Sequence, residues 1–228
     1  MKKPRKPVIA IDGPAGAGKS SAAKLLAQRL GFVLVDTGAL YRGVALEALR
    51  QSVPLDDGKR LGELARRLDL GFENAADGSS HLCVNGQDCA GEIRTQEIAQ
   101  AASDVSRFPE VRDALLELQR NMGQQGGVIL EGRDIGTVVF PDAELKVFLT
   151  ASVEARAERR YLELLNKGVS TTLEKILEQI RLRDLQDSNR PIAPLKPAAD
   201  AVIMDSTDLC LNEVVERLRA LVLERWPA

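Results

Sequence analysis

Five short apolar runs punctuate the chain, at residues 8–11, 32–35, 127–130, 145–149 and 201–204. Near-continuous hydrophobicity over four or five positions marks strands covered on both faces; strict alternation would mark a strand with one wet face. Between the runs the apolar period lengthens to that of a helix. Helices are expected at 21–30, in the segment after Asp36, and at 93–107, 109–122, 153–166, 173–187 and 209–225. Pro109 suits a first helical position, Lys167-Gly168 breaks the pattern, and Pro191, Pro194 and Pro197 rule out regular helix beyond Asp187. Strands alternating with helices predict an α/β fold, a five-stranded parallel sheet flanked by helices. Function then collects at the carboxyl ends of the strands, where Asp12, Asp36, Glu131 and Asp205 each follow a run. Asp205 reads as a strand-end residue capping its turn rather than a metal ligand.

Between Gly71 and Gly91 the pattern changes. Short apolar pieces around Leu70, at 81–84 and at 87–89 are separated by Asp77-Gly78 and Asn85-Gly86. Both dipeptides are hairpin signals, because their residues tolerate the left-handed turn that matches strand twist. A small antiparallel meander, inserted into the parallel architecture, is expected here.

Composition narrows the class. A chain of 228 residues holds one α/β domain with insertions or two small domains, and a net charge of −2 gives no global case for nucleic-acid or anionic-membrane binding. The basic start, Met1 to Pro7, is followed by only four apolar residues before Asp12, too few for a signal or a membrane span. A cytosolic protein is expected. Cys83, Cys89 and Cys210 have no framework spacing, as in a reducing compartment. His81, Cys83 and Cys89 lack the spacing of a metal site, and His81, in the meander, reads as a structural or surface residue.

The strongest chemical signal follows the first run. Gly13-Pro14-Ala15-Gly16-Ala17-Gly18-Lys19-Ser20 is a phosphate-loop pattern, with a strand before it and a helix after it. Glycines let successive backbone N–H groups turn toward an anion, and the helix N-terminus adds the positive end of its dipole. Lys19 reaches β/γ-phosphates, and the Ser20 hydroxyl is placed to ligate Mg²⁺. The guanine-specific Asn-Lys-x-Asp pattern is missing, since Asn166-Lys167 lacks the Asp. Val202-Ile203-Met204-Asp205 lacks the Asp-Glu ending of a mechanical ATPase, and a dinucleotide reading fails because the loop runs on into Lys-Ser.

Arginines outnumber lysines 21 to 10, and their positions matter more than their number. Arg42 lies one turn into the helix after Asp36, and Arg133 follows the third run. Arg156, Arg159 and Arg160 share one helix face, as do Arg183, Asp187 and Arg190. Guanidinium forks bind phosphate at two points and stay charged. Such a set, without an obvious general base, favours an acceptor that is itself a phosphate. Its oxygen is already a nucleophile, and the task is to bring two anions together.

Several blocks then resemble the bacterial cytidylate kinases across nearly the whole chain. They are residues 11–20, Asp36-Thr37-Gly38-Ala39-Leu40-Tyr41-Arg42, Ile93-Arg94-Thr95, residues 131–141, residues 183–190, Ala198-Ala199-Asp200-Ala201 and Asp205-Ser206-Thr207. The resemblance implies a single P-loop kinase domain over residues 1–228, with a monophosphate-binding insert at about 40–112 and a lid at about 153–170. It implies ATP as donor with Mg²⁺, and CMP or dCMP as acceptor. ATP contacts are expected from Gly13, Pro14, Ala15, Gly16, Ala17, Gly18, Lys19, Ser20 and Ser21. By position, Thr37, Arg42, Arg133 and Arg190 correspond to acceptor-phosphate contacts. Ser103, Arg112 and Asp134 correspond to cytosine contacts, and Arg183 with Asp187 to sugar contacts. Lys19, Arg133, Arg159 and Arg160 form the expected catalytic set. The chain departs from the family in Leu185-Gln186, where a further charge is frequent. A monomer acting in the cytoplasm on small molecules, with neither nucleic acid nor membrane as partner, is expected.

Overall fold

The computed structural model describes residues 6–74 and 80–226. Strands β1 (Val8–Asp12), β2 (Val33–Asp36), β6 (Val128–Gly132), β7 (Leu145–Thr150) and β8 (Val202–Asp205) form one sheet in the order β2-β6-β1-β7-β8, every neighbour parallel. All five apolar runs are therefore strands of this sheet, shifted or extended by one or two residues at their ends. The α/β expectation holds.

The central strands β1, β6 and β7 are dry on both faces, which is why they do not alternate, while the edge strands β2 and β8 leave Val33 and Ile203 exposed. Ile9, Ile11 and Ile129 pack with Ala22, Ala23 and Leu26 of α1 (Lys19–Leu30) and with Val214, Val215 and Leu218 of α8 (Leu211–Arg225). Val8, Ala10, Val128 and Leu130 turn the other way, onto Ile135, Val139, Leu116 and Phe140. The order reverses direction at β1, so the crevice at a topological switch point lies above the central strand.

Between β2 and β6 the chain builds a second cluster. It comprises α2 (Thr37–Arg50), α3 (Gly58–Arg67), the antiparallel strands β3 (Leu70–Asn74), β4 (Ser80–Val84) and β5 (Gln87–Asp88), α4 (Gln96–Val105) and α5 (Pro109–Gly123). Leu40, Val44, Leu61, Leu82, Val105 and Leu115 lie at its centre. The Asn85-Gly86 turn has positive φ at both residues, as the hairpin signal requires. The Asp77-Gly78 turn lies outside the described residues. Helices α6 (Val153–Asn166) and α7 (Leu173–Ser188) form a hairpin over a small core of Ala157, Leu164, Ile176 and Ile180.

Three local expectations need correction. The helix expected over 93–107 is split: Glu92–Arg94 forms a 3-10 turn and α4 begins after Thr95, whose Oγ1 accepts from the N–H of Ile98 at 3.2 Å. The last helix begins at Leu211, two residues late, because Cys210 is its N-cap and its N–H donates to Glu213 Oε2 at 2.8 Å. Helix α3 was not anticipated at all. Among the described residues, no helix is long and apolar enough to cross a membrane.

Candidate active site

The phosphate loop joins β1 to α1, and two glycines show why it takes this path. A Cβ on Gly13 would stand 1.9 Å from the Leu149 carbonyl oxygen, so only glycine lets the loop leave the sheet here. Gly18, the N-cap of α1, has φ 87°, in the left-handed region. Asp12, the last residue of β1, ties the start of the loop to the segment after β6. Its two oxygens accept from the N–H groups of Ile135 and Gly136 at 2.8 and 2.7 Å, and burial pushes its pKa up to about 6. It is thereby occupied in structure, although the sequence places it at the rim.

Lys19 is buried and donates from Nζ to the Pro14 carbonyl at 2.8 Å, which curls the side chain back inside its own loop. Burial, aided by Arg133, lowers its pKa to about 7, against the pull of Glu131 and Asp12. Ser20 Oγ donates to Glu131 Oε2 at 2.8 Å, while Glu131 Oε1 is buried without a partner. Burial and the nearby Asp36 carboxylate raise Glu131 to about 7, opposed by Lys19 and the Ser20 hydroxyl. A buried, half-satisfied carboxylate beside a hydroxyl at a phosphate loop is an oxygen donor set for a hard divalent cation. Glu131 appeared in the sequence only as a rim carboxylate; the feature that singles it out is its hydrogen bond to Ser20.

Across the cleft stands a cluster of guanidinium groups. Asp187 on α7 is fully buried and accepts from Arg133 Nε at 2.9 Å and from Arg190. Burial alone would raise its pKa, but Arg133, Arg190 and Arg183 hold it below the usual carboxylate range. Arg183 has a buried Nε without a partner, and burial followed by Arg133 lowers its pKa to about 10. One carboxylate thus faces three cations, which leaves a net positive pocket suited to anions. Arg42 pairs with Asp36 at 2.5 Å, and the Thr37 hydroxyl donates to the Glu131 carbonyl at 2.8 Å.

A third corner is made by α4, α5 and the segment after β6. Arg112 and Asp134 form a buried ion pair, Arg112 Nη1 also donates to the Ser106 carbonyl at 3.3 Å, and the guanidinium lies 5.6 Å from the Tyr41 ring centroid. Ser103, also buried, supplies its carbonyl to the Ser106 hydroxyl at 2.9 Å.

One cleft of about 1200 Å³ joins these walls. Ala15, Gly16, Ala17, Gly18, Lys19, Ser20 and Ser21 line it on one side. Thr37, Arg42, Ser103, Arg112, Arg133, Asp134, Arg183 and Arg190 line it on the other, with Arg159 and Arg160 at its edge. Gly13, Pro14 and Asp187 are not among the lining residues, Asp187 being fully buried against Arg133 and Arg190. Arg159 is docked on the turn after β8, donating to Ser206 Oγ at 3.1 Å and to the Thr207 carbonyl at 3.3 Å, and Arg160 pairs with Glu163 at 2.7 Å. Asp205 caps that turn: its Oδ1 accepts from the N–H and the hydroxyl of Thr207 at 2.8 and 2.6 Å. His81, 3.0 Å from Asp88, sits in the meander away from the cleft lining.

The chain matches the cytidylate kinase family profile over residues 9–224. It belongs to the cytidylate kinase family. A cytidylate kinase of Geobacter sp. (strain M21) is 56% identical over 219 residues, covering 96% of this chain and 93% of the relative. A second, from Pasteurella multocida (strain Pm70), is 53% identical over 208 residues, 91% of each. A solved gluconokinase from Sinorhizobium meliloti 1021 aligns over 97% of this chain and 94% of its own at 16% identity, with a TM-score of 0.49. The family match makes this an ATP-dependent cytidylate kinase, whose phosphoryl transfer calls for a divalent metal. The phosphate loop, the arginine cluster and the Arg112–Asp134 corner are where this cytidylate kinase fold brings its sequence blocks together.

Proposed function

We propose that the cleft performs in-line transfer of the ATP γ-phosphoryl group to the phosphate of CMP or dCMP, with the donor on the phosphate loop and the acceptor among the arginines. The observation that carries this assignment is the opposition of the two walls across one cavity. Its volume exceeds the roughly 300–1,000 Å³ of a single small-molecule pocket, as two nucleotides require. Asp36 and Asp134 are tied to Arg42 and Arg112, and Glu131, bonded to Ser20 through one oxygen, is assigned to the metal through the other. Charge neutralisation rather than proton removal is then the main catalytic task.

In this reading the loop amides and Lys19 hold the donor phosphates, and an anion there draws the Lys19 proton equilibrium back up. Thr37, Arg42, Arg133 and Arg190 hold the acceptor phosphate, with Arg183 at the sugar; Asp187, fully buried against Arg133 and Arg190, reaches the sugar only once those arginines turn to the phosphate. Arg159 and Arg160 approach as the lid, about residues 153–170, comes down and excludes water. The insert, about residues 40–112, contributes Arg42, Ser103 and Arg112 to the acceptor site, and its separate hydrophobic cluster supports treating it as a unit. Ser103, Arg112 and Asp134 read the base: a carboxylate accepts from the 4-amino group of cytosine, and a guanidinium donates to N3. Uracil presents the reverse pattern and leaves buried polar groups unpaired, each costing about 1–3 kcal/mol.

Ser20 and Glu131 fit Mg²⁺, through the serine hydroxyl and the unpartnered Glu131 Oε1. The ion, when bound, neutralises charge on the phosphate oxygens. The net charge of −2 supports small molecules rather than nucleic acid or an anionic membrane as partners; a monomer acting in the cytoplasm completes the reading, and sedimentation tests the oligomeric state.

A coupled ADP-release assay over CMP, dCMP, UMP, AMP, GMP and hydroxyl acceptors tests the whole. CMP and dCMP are expected to be the best acceptors, and Lys19→Ala to lower turnover by orders of magnitude in a folded protein. Preference for a hydroxyl acceptor, or near-normal turnover in folded Lys19→Ala, would refute the reading.

A further inference from the structure

Arg156 shares a helix face with Arg159 and Arg160, yet it does not line the cleft. It is buried at the start of α6, where its guanidinium gathers three separate segments. Nε donates to the Ala151 carbonyl at 2.9 Å. Nη1 donates to the Ala15 carbonyl of the phosphate loop at 3.1 Å and to Asp184 Oδ1 at 3.0 Å, and Nη2 to Asp184 Oδ2 at 2.6 Å. Asp184 is the neighbour of Arg183 on α7. Gly16 presses on the same residue: a Cβ there would lie 3.1 Å from Arg156 Cβ and 3.3 Å from its carbonyl oxygen.

We propose that Arg156 is a positioning residue that couples the donor and acceptor sites; this rests on the site assignments above. A planar two-point fork fixes the guanidinium relative to α7, and the third contact fixes it relative to the loop. A shift at Ala15 as the loop closes on phosphates is passed through one rigid group to the helix bearing Arg183 and Asp187. Coupling of this kind is reciprocal: each nucleotide raises the affinity for the other by one common factor, typically about 5–150-fold. Lysine keeps the charge but loses the fork. Asp184→Asn keeps the shape but loses the charge on the side chain the fork grips.

Calorimetry on the full chain reads the factor directly. A non-hydrolysable ATP analogue is titrated with and without CMP, and CMP with and without the analogue. The wild type is expected to show a factor above about 5, and Arg156→Lys and Asp184→Asn a factor near 1, with affinity for CMP alone within about twofold of wild type. If Arg156→Lys does not fold, Asp184→Asn, whose side chain is partly exposed, decides. A wild-type factor of 1, or an unchanged factor in folded Asp184→Asn, overturns the proposal. Weakened binding of each nucleotide alone with an unchanged factor also overturns it, since that is what a merely structural role predicts. Failure of the wild type to bind CMP or the analogue alone would instead count against the site assignments.

Discussion

Arg133, which lines the cleft, and Asp187 behind it meet at 2.9 Å, and Asp187 is fully buried. Against the effect of burial, Arg133, Arg190 and Arg183 together hold the Asp187 carboxylate below its usual range. Removing one member of a buried charge set costs about 3–5 kcal/mol, because the remaining charges are left uncompensated.

Asp187→Asn is therefore expected to lower stability by an amount of that order. A tetrahedral dianion between the arginines should restore part of it. Thermal melts with and without sulfate check this: the sulfate-induced rise in Tm should be larger in the variant than in the wild type. Equal rises would mean that Arg133 and Arg190, released from Asp187, do not share one anion site.

Asp134 supplies the acceptor side of base recognition in the proposed reading, while its partner Arg112 supplies donors. Asp134→Asn turns half of that acceptor into a donor, which suits the 4-oxo group of uracil better. The kcat/KM for CMP is expected to fall about 5–150-fold, corresponding to about 1–3 kcal/mol. UMP should lose less, so the CMP/UMP ratio narrows. Parallel steady-state assays measure it, with a melt to confirm the fold. A uniform loss on both nucleotides would place Asp134 in scaffolding alone.

Much of this arrangement is legible in the sequence, for local reasons. The phosphate loop is read from spacing because its backbone conformation demands glycine at Gly13 and Gly18. The Asn85-Gly86 turn is read because few other dipeptides take positive φ twice. Helix α3 is hidden by two glycines, Gly58 and Gly62, that weaken the helical signal. Gly62 is there because a Cβ would come within 2.5 Å of Glu110 Cβ on α5, a contact no local pattern reveals. The same limit applies to the site. That Ser20 meets Glu131, and that Arg156 turns inward to Asp184 rather than toward the cleft, depend on pairings between distant segments. Helical spacing placed Arg156 on the right face, but the partner decides where it points.

Asp12 links stability to pH with a definite sign. Its pKa is raised from 3.8 to about 6 in the fold, so between those values the native state binds more protons than the unfolded one. The stabilisation present below about pH 4 is lost as pH rises through 6, a span of about 3 kcal/mol. Roughly half of it falls between about pH 5 and pH 7.5. The stability difference between wild type and Asp12→Asn, from urea titrations across that window, should fall as pH rises. A flat difference would mean that Asp12 is ionised throughout, held by its two backbone N–H donors.

Glu131 separates stability from function most sharply. Its charge is buried, raised to about 7, and half unpaired, so above pH 7 the ionised form opposes folding. A neutral isostere removes that opposition, and Glu131→Gln is expected to melt at a higher temperature than the wild type at pH 8. If Ser20 and Glu131 together hold the cation, the same change weakens metal binding, by about 10–100-fold if the carboxylate acts through the serine or an intervening water. Turnover at saturating nucleotide, titrated with Mg²⁺, should therefore shift to higher metal concentration in the more stable protein. The two readouts move in opposite directions only when a buried charge is retained for chemistry at a cost to the fold. A variant that is less stable and needs no more metal would make Glu131 a strut between the loop and β6, and would move the metal site elsewhere in the cleft.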